Sequence, residues 1–330
     1  MDILTTLQTL NACHGPAGDE RGVAAAIRGF CAPFADEISS DTMGNLIVRK
    51  KGSGTKVMFA AHMDSIGYII THIEKEGFLR FGKLGGLYPY SILHTPVRFG
   101  NGVRGLVSRD EKGELSKLTL DDLFIDIGAK DEEDAKKRVT IGDTAVFDGQ
   151  AFQTGGRIVS PYMDNRISCV VLLMALEKLG RSNHDLYFVF TVQEELGLRG
   201  AKTAAYSIDP DYAVAVDVTT SDDVPGTKHE GSAVLGGGAA IKVMDSSVIC
   251  HPQMVRKLSV LAERAGIKVQ RDVIKAGGTD AGSIHQSRAG VLTGGVSVPC
   301  RYVHSTVEMV DISDVEACAS LVAAFAQSEL

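Results

Sequence analysis

The sequence has few cysteines, and none of them lies in a pattern that forms a disulfide framework or a thiolate metal site. The six cysteines of the 330 residues are scattered with no CxxC pair: Cys13, Cys31, Cys169, Cys250, Cys300 and Cys318. Dense cysteine patterns are typical of small secreted domains, and paired cysteines of structural zinc sites. We therefore expect reduced cysteines that pack as small hydrophobic residues.

The chain also lacks an excess of positive charge and long hydrophobic runs. Its formal net charge is -7 and its isoelectric point is about 5.7, so no broad basic surface is available for nucleic acid or anionic lipid. No apolar run approaches the roughly 20 residues that span a bilayer, and the first residues lack the basic and apolar regions of a signal peptide. We expect a cytoplasmic protein whose partners include neither nucleic acid nor membrane.

Nucleotide-binding motifs are absent as well. The glycine-rich GGTDAG at 277–282 has neither the GxGxxG spacing of a dinucleotide site nor the GxxxxGK[ST] pattern of a phosphate-binding loop. It opens a predicted helix, so it either presents backbone N–H groups to an anion or forms a plain strand-to-helix turn. LGGGAA at 235–240 indicates a loop.

What the sequence does contain indicates a globular α/β protein. It is 44% hydrophobic and 23% charged, with a mean hydropathy of +0.06, which is typical of a folded chain. Helical patterns and apolar strands alternate over 1–67 and 159–330, whereas 68–158 has short β-like runs separated by glycine turns. We predict an α/β domain built from both ends of the chain and interrupted by a β-rich domain over 68–158.

Polar clusters follow four of the predicted strands, in VMFAAHMDS, LYFVFTVQEELG, AVAVDVTTSDD and GGVSVPCRYVHS. Because ligands bind beyond the carboxyl ends of the strands in open α/β sheets, these clusters should meet at one edge. An aspartate at the start of a helix in SPYMDNR can join them. Together they contribute two imidazoles and a set of carboxylates: His62, Asp64, Asp164, Glu194, Glu195, Asp217 and His304.

This residue set favours a pair of divalent cations. Carboxylates crowded into one cleft repel one another and pay a desolvation cost, and bound cations remove both penalties. Histidine and carboxylate ligands without thiolates suit zinc, cobalt or manganese. Two ions about 3.5 to 4 Å apart commonly share a carboxylate and a water, and Asp164 is the candidate bridge. Each residue alone is more typical of a helix cap or a solvated surface.

The spacing within two of the clusters suggests further roles. His62 and Asp64 are two residues apart, so in extended chain Asp64 can accept the second ring N–H of His62. Consecutive side chains diverge at a strand end, so one of Glu194 and Glu195 should bind metal and the other should transfer protons. We assign proton transfer to Glu194, since a glutamate beside two cations can pass a proton from water to a departing amine.

Taken in order, these motifs resemble those of the glutamyl and tetrahedral (TET) aminopeptidases. This family of two-metal metallopeptidases includes deblocking aminopeptidases and relatives labelled cellulase or endoglucanase. The resemblance covers essentially the whole chain, through AAHMDSIGYI, SPYMDNR, VFTVQEELGLRGA, AVDV, PGTKHEG, GGTDAGSIHQSRAG and SVPCRYVHSTVEMV. It implies a mixed-sheet α/β/α catalytic domain (phosphorylase/hydrolase-like), an inserted β-rich dimerisation domain, and homo-oligomers from dimer to dodecamer.

The resemblance also implies a role for each residue of the set. One ion would be held by His62 and Asp217 and the other by Glu195 and His304, with Asp164 bridging, Glu194 as general acid/base and Asp64 supporting His62. The implied reaction removes the N-terminal residue of short peptides with a metal-bridging water that Glu194 activates. The implied cofactors are two zinc or cobalt ions, or manganese.

Three alternatives stay open at this point. A related two-metal carboxypeptidase or deacylase would use similar ligands on another substrate. A catalytically silent assembly protein would keep the fold. A glucanase fits poorly, because glycosidases use two opposed carboxylic acids and no metal pair.

Overall fold

The computed structural model describes residues 1–111, 114–227 and 233–330. Residues 228–231 of the motif PGTKHEG therefore lie outside the described residues. The helices are α1 (Ile3–Ala12), α2 (Arg21–Cys31), α3 (Pro89–Ile92), α4 (Glu132–Lys136), α5 (Met163–Lys178), α6 (Arg199–Ile208), α7 (Pro252–Ala265), α8 (Ala281–Ile284) and α9 (Ile312–Gln327). In this part of the chain, no helix combines the length and the apolar character needed to cross a membrane.

The strands form one large sheet and one barrel. They are β1 (Glu37–Ser40), β2 (Leu46–Lys50), β3 (Lys56–His62), β4 (Gly67–Ile73), β5 (Leu79–Leu84), β6 (Pro96–Phe99), β7 (Arg104–Arg109), β8 (Leu123–Asp126), β9 (Thr144–Phe147), β10 (Phe152–Thr154), β11 (Arg157–Ser160), β12 (Asp185–Thr191), β13 (Tyr212–Thr220), β14 (Ala239–Met244), β15 (Val269–Val273), β16 (Leu292–Arg301) and β17 (Glu308–Asp311).

The large sheet is mixed, and its centre is parallel. Its order is β1-β2-β12-β3-β13-β16-β17-β11-β10, and β14 pairs with β16 and with β15. The neighbours β12, β3, β13 and β16 run parallel to one another, so their carboxyl ends share one edge. Strands such as β2 and β17 run antiparallel to their neighbours.

Alternation along the central strands buries both faces of this sheet. In β3, Val57 and Phe59 pack in the core that contains residues of α1, α2, α5, α7 and α9. Met58 and Ala60 point the other way and pack with residues of α6 and α8. Because successive side chains of a strand point to opposite faces, a continuous apolar run is what a sheet between two helical layers requires.

The barrel is a second unit with its own core. The strands β4-β5-β8-β7-β6-β9 close on themselves around buried residues such as Tyr68, Val97 and Ile125. Its strands lie between Gly67 and Phe147, and the next two strands, β10 and β11, already pair in the large sheet. The mixed sheet and the closed barrel confirm the predicted fold class, while the domain limits of 68 and 158 stay a prediction.

The strands that were not predicted include β14 and β17. The loop prediction for 235–240 is wrong at its end, because Ala239 and Ala240 begin β14 and are buried against its neighbours. The short strand β17 (Glu308–Asp311) was also missed. Three glycines before β14 and the polar residues before β17 hide these strands, which the pairing with β16 stabilises.

Candidate metal centre

The parallel centre of the sheet brings the predicted residues to one edge. His62 is the last residue of β3, and Asp217 lies near the carboxyl end of β13. Glu194 and Glu195 come shortly after β12, and His304 shortly after β16. Because these four strands are parallel neighbours, their ends deliver the side chains to a single cleft, as predicted.

His62 lies at the centre of the first group. Its Nε2 atom is 3.1 Å from Oδ1 of Asp164, 3.7 Å from Oδ1 of Asp217 and 3.8 Å from Oε2 of Glu194. Ligand atoms of His62, Glu194 and Asp217 all lie within 4.8 Å of one another. This spacing can accommodate one cation between an imidazole and carboxylates.

His304 forms the second group. Its Nε2 atom is 3.2 Å from Oδ2 of Asp164 and 3.5 Å from Oε2 of Glu195. The two carboxylate oxygens of Asp164 therefore face different imidazoles, Oδ1 towards His62 and Oδ2 towards His304. A carboxylate in this position can contribute one oxygen to each of two ions.

The acidic side chains of the cleft are buried close together, which favours a bound positive charge. Burial, together with the charges of neighbouring acids, raises the pKa of Glu195 to about 8 and lifts the pKa values of Glu194 and Asp217 well above their usual range. Burial alone would lower the pKa of His62, but the surrounding carboxylates raise it well above its ordinary value. Oε1 of Glu195 is buried without a hydrogen-bond partner among the described residues. Divalent cations fit this donor set, because they neutralise the acids and use the free oxygen.

Asp64 contacts three residues of the candidate centre: His62, Glu194 and Glu195. It is fully buried, and its Oδ1 and Oδ2 accept the backbone N–H groups of Glu194 and Glu195 at 3.0 and 3.2 Å. Nδ1 of His62 lies 3.2 Å from the main-chain oxygen of Asp64 and 3.5 Å from its Oδ1. The residue is thus placed to fix the ring of His62 and the segment that carries both glutamates.

A second supporting carboxylate, Glu308, was missed by the sequence analysis. Its Oε2 accepts the backbone N–H of Asp164 at 3.0 Å, and its Oε1 accepts that of His304 at 2.6 Å. Burial and the charge of Asp164 raise the pKa of Glu308 to about 8. A single glutamate four residues after a histidine carries no signal of this role in the sequence.

The loop after β5 of the barrel packs directly on the centre. A Cβ atom on Gly86 would lie 2.5 Å from Nδ1 of His304, and one on Gly85 would lie 2.9 Å from Oε2 of Glu195. Only glycine allows so close an approach at these two positions. The inserted barrel therefore contributes one wall of the cleft.

The segment GGTDAG contributes another part of the site. Gly277 and Gly278 line the cleft, while the N–H of Thr279 is already bonded to Oγ of Ser247 at 3.3 Å. Oδ2 of Asp280 accepts the hydroxyl of Thr191 at 2.5 Å, and burial raises the pKa of Asp280 to about 6. The motif thus forms a packed strand-to-helix turn at the cleft.

The six side chains that face one another open into a cleft of about 530 Å³. They are His62, Asp164, Glu194, Glu195, Asp217 and His304. The cleft is large enough for a side chain and part of a peptide backbone.

Comparison with known proteins agrees with this geometry. A family profile described as M42 glutamyl aminopeptidase matches residues 44–321. A lysyl aminopeptidase from Pyrococcus furiosus is 35% identical over 318 residues, which cover 92% of this chain and 90% of the relative. An aminopeptidase structure from Desulfurococcus kamchatkensis superposes with a TM-score of 0.95 at 40% identity, covering 98% of this chain and 94% of its own.

A third relative is known to assemble. The TET1 peptidase of Pyrococcus horikoshii, which can form a tetrahedron or a large octahedral shell, superposes with a TM-score of 0.89 at 32% identity. The match covers 99% of this chain and 100% of that structure. The chain therefore belongs to the M42 glutamyl aminopeptidase family, whose members are metallopeptidases that hydrolyse peptide bonds.

Proposed function

We propose that the chain is a two-metal aminopeptidase that removes the N-terminal residue of short peptides. The observation that carries this proposal is the position of Asp164, whose two oxygens lie 3.1 and 3.2 Å from the imidazoles of His62 and His304. Glu194 and Asp217 lie near the His62 imidazole, and Glu195 lies near the His304 imidazole. The arrangement supports two adjacent cation sites that share one bridging carboxylate.

We assign His62 and Asp217 to one ion and Glu195 and His304 to the other, with Asp164 between them. Glu194 also lies within reach of His62 and Asp217, which is where a proton-transfer group must be. Zinc, cobalt and manganese all suit imidazole and carboxylate ligands. When bound, the ions would polarise the scissile carbonyl and lower the pKa of water.

The chain's own residues perform the remaining steps. Glu194 takes a proton from the attacking water and gives it to the departing amine nitrogen. Asp64 holds Glu194 and Glu195 in place through their backbone N–H groups, so that proton transfer and ion binding keep a fixed geometry.

Substitution of Glu194 tests the assignment. We expect Glu194→Gln to keep both ions by elemental analysis but to lose nearly all turnover of an aminoacyl p-nitroanilide. Asp164→Ala should instead lose metal. A Glu194→Gln variant with wild-type activity would overturn the role of Glu194.

The carboxypeptidase and deacylase alternatives are separated by blocked substrates. An aminopeptidase cleaves a peptide with a free N-terminus and an amidated C-terminus, and it fails on the same peptide acetylated at its N-terminus. Cleavage of the acetylated peptide would favour the alternatives. Loss of all peptide hydrolysis in the metal-loaded protein would favour the silent assembly protein.

We also propose a cytoplasmic homo-oligomer, from dimer to dodecamer, in which the barrel provides a contact surface. The barrel exposes large apolar side chains, with Leu106, Leu115 and Ile141 exposed at 45%, 62% and 64%. We propose these side chains as part of the contact surface between copies, where their burial would be favourable. Light scattering after size-exclusion chromatography tests it, and a monomer at micromolar concentration would contradict it.

A further inference from the structure

We propose that the cleft selects peptides whose first side chain is uncharged and apolar, such as leucine, methionine or phenylalanine. This inference rests on the proposed aminopeptidase function and names its substrate class. It concerns the part of the cleft beyond the predicted metal ligands.

Beyond the predicted metal ligands, the lining of the cleft combines hydrocarbon side chains from separate segments with the hydroxyl-bearing Tyr88, Thr219 and Thr220. Leu198 precedes α6, Ile274 and Ala276 follow β15, and Val303 precedes His304. A Cβ on Gly277 would lie 3.9 Å from Cδ1 of Ile274, so the Ile274 side chain packs beside Gly277.

Leu198 is also fixed in place. Its Cδ1 atom would lie 3.0 Å from a Cβ on Gly282, so the side chain packs against the backbone of α8. Ile274 and Leu198 therefore have packing neighbours of their own, and they offer a preformed apolar surface to a bound side chain.

Every acidic side chain and every histidine in the described lining already has a proposed role in ion binding or proton transfer. Among the lining residues that the structure describes, the acids and histidines are the five predicted metal ligands and Glu194. Bound cations would neutralise most of this set. No further Lys, Arg, Asp or Glu of the described lining can pair with a lysine or glutamate side chain of the substrate.

Physical chemistry then sets the order of substrates. An apolar side chain gains by leaving water for this apolar surface, whereas a charged one loses hydration without gaining a partner. We expect kcat/KM to be on the order of 10- to 100-fold higher for an apolar first residue than for a charged one of equal length.

Lys275 is the residue that could reverse this order. It stands between Ile274 and Ala276, and its side chain is exposed to solvent outside the described lining. If it folded over the cleft, it would favour glutamate as the first residue.

The experiment compares p-nitroanilides of matched length on the metal-loaded enzyme, norleucine against lysine and methionine against glutamate. We expect the apolar member of each pair to be favoured. Equal or faster cleavage of the lysine or glutamate substrate would overturn the inference and leave the proposed function standing. Failure to cleave any of them would overturn the proposed function and this inference with it.

Substitutions test the apolar surface itself. Ile274→Asp should raise kcat/KM for the lysine substrate relative to the norleucine substrate by about tenfold or more, with unchanged metal content. Ala276→Asp, at an exposed position, provides a second route to the same shift if Ile274→Asp fails to fold. An unchanged substrate order in both folded variants would overturn the assignment of these residues.

Two control variants complete the design. Val260→Asp, at an exposed site on α7, should leave the substrate order as it is in the wild type. Lys275→Gln should also leave it unchanged. A wild type that prefers glutamate, and loses that preference in Lys275→Gln, would assign specificity to Lys275 and contradict the inference.

Discussion

Glu308 joins the two chain segments that carry Asp164 and His304, and its substitution tests how the centre is held together. Its oxygens accept the two backbone N–H groups at 3.0 and 2.6 Å, and the residue is only 2% exposed. Glu308→Gln keeps the size of the side chain and one acceptor oxygen. The new NH₂ group must then face one of the two N–H donors.

The expected loss of metal affinity in Glu308→Gln follows from the hydrogen bond that the substitution removes. One hydrogen bond is worth about 0.5 to 1.5 kcal/mol, and a buried N–H donor left without an acceptor costs about 1 to 3 kcal/mol. These hydrogen bonds hold Asp164 and His304 in position. Part of the free energy lost with them therefore lowers the affinity for the ion. We expect the affinity for the ion near His304 to fall about 10- to 100-fold, the range found when a group that orients metal ligands is removed.

Competition with a chromogenic chelator measures the Kd of each ion, and circular dichroism checks that the variant is folded. Glu316→Gln changes an exposed acid on α9 and should bind metal as the wild type does. A folded Glu308→Gln variant with wild-type affinity for both ions would refute the reasoning.

The other predictions concern a glycine, a buried ion pair and a buried acid. Gly86→Ala places a Cβ 2.5 Å from Nδ1 of His304, so we expect the ring to shift and one ion to be lost on dialysis. Lys242→Met removes the cation 2.6 Å from the buried carboxylate of Asp272, and the free energy of unfolding in urea should fall by about 3 to 5 kcal/mol. Burial raises the pKa of Asp314 from 3.8 to about 6, so the folded chain holds this proton more tightly than the unfolded chain. The stabilisation is present below about pH 4 and is lost as the pH rises through about 6. Relative to Asp314→Asn, the wild type should lose about 3 kcal/mol over this range in urea titrations with chelator present.

Matched controls accompany these variants. Gly156→Ala adds a Cβ in open space and should keep both ions. Lys50→Met breaks the exposed pair with Asp36, 2.8 Å apart, and should cost less than about 1 kcal/mol. Equal metal content in the two glycine variants, equal destabilisation by the two lysine variants, or parallel pH profiles for the wild type and Asp314→Asn would contradict the respective prediction.

The strand-end residues of the site could be predicted from the sequence, because the local pattern and the geometry of the sheet agree there. The apolar run 57–61 predicts a buried strand, and His62 must then lie at its carboxyl end. The same reasoning applies to Asp217. Parallel pairing brings both to one edge whatever the order of the strands.

Long-range contacts explain what could not be predicted. Glu308 matters because the fold brings Asp164, 144 residues away, against it, and no local pattern encodes that contact. The closeness of Gly86 to His304 likewise depends on how the barrel sits on the sheet. His304 itself has a positive φ of 63°, a conformation that its sequence context does not predict.

We propose that the cleft holds two catalytic ions per chain, and a metal titration of the chelator-stripped protein measures that number. Elemental analysis and p-nitroanilide hydrolysis are followed together as zinc, cobalt or manganese is added. We expect two bound ions per chain, with full activity only when the second ion is bound. Asp164→Ala should show neither the two bound ions nor the activity. Full activity in the stripped protein, or a single ion per chain at full activity, would contradict it.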